Sequence, residues 1–138
     1  MVASRSSLVA GGKPMPRGYR DLDVYNRSLD ALVRVHQIVA SFPDSERFDL
    51  TAQLRRASKS IPANIAEGYA KRRSAKEFVS FLTNALGSAN EIEVHAEIAH
   101  RLGYIPNEVF RELTEEYAII GRQLAALIAS WRRQPRTP

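Results

Sequence analysis

Two of the three histidines sit one helical turn from a glutamate. Glu97 and His100 have the Glu-x-x-His spacing that di-iron helical bundles place on two of their helices, and Glu91 precedes His95 by four residues. A di-iron centre needs a second such pair and inward glutamates on two further helices, and His36 and Glu67 do not complete it. Glu97 and His100 also fall off the apolar seam of their helix, which reads them as a solvated Glu/His face. His36 falls on an apolar seam, where a lone histidine is a packed, hydrogen-bonded residue more often than a general base. Ser58 and Ser60 could face it, but no nucleophile elbow, oxyanion-hole motif or glycine-rich phosphate loop frames either. The expectation is therefore no catalytic residue, no metal and no cofactor. The alternative is a metal-binding or enzymatic bundle using the Glu/His face of helix three.

Two further sets stand out. Ser60, Asn64 and Glu67 lie inside one helix with Pro62 and Gly68. A buried amide such as Asn64 must be paired, so this set is expected to fix register or oligomeric state. Arg55, Arg56, Lys59, Lys71, Arg72, Arg73 and Lys76 form a basic group in which Tyr69 could stack on a base. Phosphate backbones favour such groups through counterion release. The competing reading is a solvated face, or salt bridges between subunits to acidic helices.

Four amphipathic helices must position these residues. The first runs from about 23 to 41, with Leu22, Tyr25, Leu29, Leu32, His36 and Val39 as its seam. The second runs from about Asp49 or Thr51 to Ala70 on Leu50, Leu54, Ala57, Ile61 and Ile65, with a kink or a break expected at Pro62. Ser74 and Glu77 form a capping box for the third, about 75–102, whose seam is Phe78, Leu82, Ala85, Ala89, Ile92, Ala96 and Ala99. Gly103 stops it. The fourth opens at Pro106 or Asn107 and carries Val109, Leu113, Tyr117, Ile120, Leu124, Leu127 and Trp131. With short connections this is an all-α, antiparallel up-down four-helix bundle over 19–132. A flexible tail is expected at 1–18 and a short one at 133–138. Val33, Val35, Ile38, Val79, Phe81, Val94, Ile98, Ile119 and Ile128 lie off the main seams, which gives more apolar surface than a lone bundle needs and points to self-association.

The 138 residues fit one domain, and the absence of cysteine excludes disulfides, thiolate metal sites and a cysteine nucleophile. No run approaches the roughly 18 apolar residues of a membrane-spanning helix, and the first residues lack a signal-peptide core, so a cytoplasmic location away from membranes is expected. The net charge of +5 is unevenly spread. Residues 55–76 hold seven basic residues against Glu67 alone, 77–116 hold eight glutamates against Arg101 and Arg111, and both termini are basic. Such a split suits self-association electrostatically.

The run from Gln53 to Tyr69, with Ser60-Ile61-Pro62-Ala63-Asn64-Ile65-Ala66-Glu67-Gly68 at its centre, resembles the hallmark of a bacterial family. So do Lys76-Glu77-Phe78, Phe81-Leu82 and Ala85-Leu86-Gly87-Ser88 with Glu91 following. The family is the four-helix-bundle proteins encoded in intervening sequences of large-subunit ribosomal RNA genes, related to the accessory variability protein of diversity-generating retroelements. The resemblance covers about Tyr19 to Trp131. It implies a homopentameric barrel without catalytic residues. For retroelement relatives it implies binding of RNA or DNA, and of a reverse transcriptase, through basic surfaces. Arg55, Arg56 and the Lys71–Lys76 group match basic positions near the motif.

Overall fold

The structure, a computed structural model, describes residues 7–8, 14–15 and 17–133. Within it α1 spans Asp23–Val39, α2 Leu50–Ala70, α3 Ala75–Arg101 and α4 Asn107–Arg132. The connections are short, so helices adjacent in sequence run antiparallel. α3 packs extensively on both α2 and α4, whereas α1 lies against α2 and more thinly against α4. The expected tails at 1–18 and 133–138 fall for the most part outside the described residues. Inside the first, Ser7–Leu8 pairs antiparallel with Pro14–Met15, a two-residue ladder for which the sequence shows no alternation.

The seams expected for α2 and α3 are all buried, from Leu50 to Ile65 and from Phe78 to Ala99. Alanines dominate α3 because it has neighbours on two sides and small residues let both approach. α2 and α3 approach closely at Gly68, where an added Cβ would stand 2.7 Å from Phe81 Cβ. α4 buries Leu113, Tyr117, Ile120, Leu124 and Ile128, with Val109, Leu127 and Trp131 packed at the margin.

α1 buries a different face from the one its leucines suggest. Val24, Ser28, Ala31, Val35, Ile38 and Val39 are buried, while Tyr25, Leu29, Leu32 and His36 are only partly covered. The helix carries two neighbouring stripes, and the one with small residues permits closer packing. Ser28 tolerates burial because its hydroxyl donates to Tyr25 O at 2.7 Å, within the helix. His36 likewise donates from Nδ1 to Leu32 O at 3.0 Å. Of the off-seam residues, Val35, Ile38 and Ile128 belong to the core, whereas Val33, Val94 and Ile98 are exposed.

α2 runs unbroken through a buried Pro62, so the chain does not divide there. Its first turn is capped from outside: Glu46 Oε1 accepts from Leu50 N at 3.2 Å, while Glu46 Oε2 accepts from Tyr104 Oη at 2.7 Å. At α3, Ser74 Oγ accepts from Glu77 N at 3.1 Å. The reciprocal half of the capping box is missing, because Ser74 N donates to Lys71 O at 3.1 Å instead. α3 ends in a Schellman motif: Gly103 has φ 81°, its N–H donates to His100 O, and Tyr104 N donates to Ala99 O.

Candidate nucleic-acid interface

In an up-down bundle the second connection shares one end with both termini. Here that end gathers cations from three separate parts of the chain. Lys71, Arg72, Arg73 and Lys76 lie on and beside the α2–α3 connection. Arg132 and Arg133 come from the end of α4, brought close by Trp131, whose ring meets that of Phe78 edge-on at 4.8 Å. Arg17 precedes, and Arg20 lies within, the 3-10 turn Tyr19–Asp21, which packs against α1 and α2. Eight basic residues face four acids here, namely Asp21, Asp23, Glu67 and Glu77.

The cations are not equally available. Arg72 lies 4.1 Å above the Tyr69 ring and donates to Tyr69 O at 3.0 Å. Lys71 lies 4.9 Å over the Phe81 ring and 3.6 Å from Glu67. Arg73, Lys76, Arg132 and Arg133 are exposed and form no ion pair among the described residues. Tyr69 does not offer the free ring expected of it, since the Arg72 guanidinium covers one face and Phe78 packs against it at 6.0 Å.

Arg55, Arg56 and Lys59 stand apart from this end, near the middle of α2. Arg56 is bonded to Glu91 of α3 and to Gln53 Oε1, at 3.0 Å for the latter. Arg55 and Lys59 have no such partner among the described residues. Of the polar set, Asn64 is half-buried and Glu67 is exposed, with Lys71 as its partner. Asn64 Nδ2 donates to Ser60 O and Oγ at 2.8 and 3.0 Å, and Ser88 Oγ donates to Ser60 Oγ at 2.9 Å, which locks α2 to α3.

The Glu/His face of α3 does not assemble a centre. Glu97 pairs with Arg101 at 2.9 Å, and His100 stacks on Phe110 at 4.8 Å with Nδ1 donating to Ile105 O. Only Glu91 and His95 meet, at 3.0 Å, and Arg56 shares that carboxylate. Among the described residues no three His, Cys, Asp or Glu side chains converge on a common point. None of the described helices is long and apolar enough to cross a membrane.

The α1–α4 side carries the opposite sign. A groove of about 610 Å³ is bridged by Arg27–Glu116 at 2.9 Å and Arg34–Glu112 at 2.6 Å. The Arg34 hydrogen bond holds the Glu112 carboxyl below its ordinary range despite some burial. Beside it, burial raises the hydroxyl pKa of Tyr117, which has no hydrogen-bond partner among the described residues.

Sequence reasoning finds the Lys71–Lys76 group but does not join Arg17, Arg20, Arg132 and Arg133 to it. The signal that unites them is present in the sequence, because an up-down topology puts both termini beside the α2–α3 connection.

The model of the 23S rRNA-intervening sequence protein family matches residues 20–126. Among solved structures, a protein of unknown function from the S23 ribosomal protein family of Bacteroides thetaiotaomicron superposes with a TM-score of 0.70. It is 29% identical, over 77% of this chain and 95% of that one. No curated protein matches the chain.

Proposed function

The chain belongs to the 23S rRNA-intervening sequence protein family, and from that premise we propose that it is a non-enzymatic, self-associating scaffold that holds nucleic-acid backbones at its basic end. The observation that carries this is the convergence of eight cations from three chain segments on one end of the bundle. Four of them are exposed and form no ion pair among the described residues, as charge neutralisation of phosphate requires. The interaction is with backbone rather than base, because the nearby aromatic rings are already occupied by Arg72 and Phe78.

Self-association is supported by α1, whose Leu29 and Leu32 are half-covered and whose Val33 is 54% exposed. The assembly implied by the family resemblance is a ring of five copies. Light scattering that gives the mass of one chain at micromolar concentration removes this part of the proposal.

The binding part is tested by titrating a short labelled duplex between about 50 and 200 mM salt. Removing one cation that neutralises a phosphate lowers the slope of log affinity against log salt by about 0.9 for duplex DNA. Arg73→Ala with Lys76→Ala and Arg132→Ala should therefore flatten the slope by about 2 to 3 if all three reach phosphate. An unchanged slope, or no binding at the lowest salt, refutes the assignment.

A further inference from the structure

The opposite end of the bundle has a different character. There α1 leads into α2 through residues 40–49 and α3 into α4 through 102–106. Tyr104 ties the two connections together, with its hydroxyl on Glu46 and its ring 5.4 Å from that of Phe42. Five carboxylates stand around them (Asp44, Glu46, Asp49, Glu97 and Glu108) against Arg47, Arg101 and Arg111. Arg101 is engaged by Glu97, and Arg47 lies 5.0 Å over the Phe48 ring. Two helix N-termini and two C-termini meet here, so their dipoles cancel and the side chains set the sign.

Set among these acids are large apolar side chains that the bundle does not cover. Phe48 is 85% exposed, Leu102 53% and Ile98 41%. Val94, 56% exposed, continues the line Val94–Ile98–Leu102 at intervals of four along the last turns of α3. A line of exposed apolar residues such as Val94–Ile98–Leu102 marks an interaction site, whereas scattered single residues do not.

We propose that this acidic, apolar end docks a cationic amphipathic helix of a partner protein. A ridge of residues at intervals of four matches the groove between the apolar side chains of one helix face, and the flanking carboxylates match its lysines or arginines. Charge argues against the other occupants. Nucleic acid is repelled by the same carboxylates. A second copy set side by side in a closed ring brings the same acidic end alongside. Only head-to-tail stacking would bring the basic end across, and such an arrangement grows without closing. The scaffold therefore holds a polyanion at one end and a basic protein segment at the other, and the second role stands whether or not the first does.

The test uses the full-length chain and a labelled model helix of leucine and lysine in amphipathic register. The controls are a scrambled peptide of equal composition and a leucine–glutamate analogue. The leucine–lysine helix should bind and the two controls should not. Affinity should fall about tenfold with Ile98→Ser and Leu102→Ser together, and by a similar factor with Asp49→Lys and Glu97→Lys together. Phe48→Ser, in a connection rather than a helix, gives an independent reading that does not depend on α3. Arg73→Ala with Lys76→Ala should change nothing, which separates this site from the basic end. The proposal is overturned if the glutamate analogue binds equally well, if the leucine–lysine helix fails to bind, or if the variants bind as the unaltered chain does. A lower assembly mass for the Ile98/Leu102 variant in sedimentation also overturns it, because the patch would then be an interface between copies.

Discussion

Replacing Gly68 with alanine tests the close approach of α2 and α3. Gly68 is buried near the end of α2, and an alanine Cβ there would lie 2.7 Å from Phe81 Cβ and 3.0 Å from Phe78 Cδ1. The first of these is the decisive one. Phe81 Cβ is fixed by its backbone, so no rotamer change relieves the clash, and α2 and α3 must separate by several tenths of an ångström. Forcing an extra methyl into a packed core costs about 1–3 kcal/mol. The preference of helices for alanine over glycine returns about 1 kcal/mol at mid-helix and less in a last turn. The net expectation is a loss of about 1–2 kcal/mol. Gly87 is the matched control: it is exposed, lies in the middle of α3, and an added Cβ meets nothing within 4 Å. Gly87→Ala should gain up to about 1 kcal/mol by propensity alone. The same chemical change should thus move stability in opposite directions at the two sites. Urea unfolding followed by circular dichroism reads both, at one fixed protein concentration because the proposed self-association would make apparent stability concentration-dependent. If Gly68→Ala is as stable as the unaltered chain, or if both substitutions shift the midpoint the same way, the close packing of α2 on α3 at Gly68 is wrong.

Two further perturbations address the caps and the pH response. Ser74→Ala should cost about 1 kcal/mol, because the hydroxyl satisfies Glu77 N; Glu77→Gln should stay within about 0.5 kcal/mol, because its carboxylate makes no return bond. The Arg34–Glu112 pair should respond to acid. The Glu112 carboxyl is held below its ordinary value, so the pair contributes fully above the ordinary carboxylate range and its contribution disappears as pH falls through the depressed value. Both side chains are substantially exposed, at 40% and 45%, which limits the effect to about 0.2–1 kcal/mol. Glu93 acts with opposite sign: burial raises its carboxyl, so the stability tied to its protonated form is complete below the ordinary range and disappears as pH rises through the raised value. Melting temperatures of Glu112→Gln and Glu93→Gln, followed across the acid range, should diverge in slope from the unaltered chain in opposite senses.

The sequence is most legible where one pattern has one structural solution. α3 repeats four-three spacing from Phe78 to Ala99, opens on a serine cap and closes on a glycine, and every seam residue is buried. In α1 the expected seam is one residue out of phase, because the helix carries two apolar stripes. Leu29 and Leu32 outweigh Ser28 and Ala31 on any hydrophobicity count, yet the smaller stripe packs inward because close approach of helices rewards small volume and Ser28 satisfies its hydroxyl locally. Local pattern cannot decide between two such faces, since the choice depends on the neighbour's shape. The α2 cap escapes local pattern for a related reason. Glu46 reaches Leu50 N from four residues back, outside a helix that its own N-cap residue, Asp49, leaves uncapped.

Charge shows what placement adds to a total. Opposite charge in residues 55–76 and 77–116 suggests bridges between subunits, but much of the acid is matched within one chain. Glu91 is bonded to Arg56, and Glu112 and Glu116 to Arg34 and Arg27 of α1. What those pairs leave over is sorted by topology. Alternate connections of an up-down bundle lie at alternate ends, so a basic second connection coincides with basic termini, and the acidic first connection lies at the other end beside an uncharged third. A charge pattern that alternates along the chain therefore becomes a separation of charge along the bundle. Arg73, Lys76, Arg132 and Arg133 lie exposed at one end, and the exposed Phe48, Ile98 and Leu102 stand among carboxylates at the other. Ligands of opposite character can then be held by one scaffold without competing for the same surface.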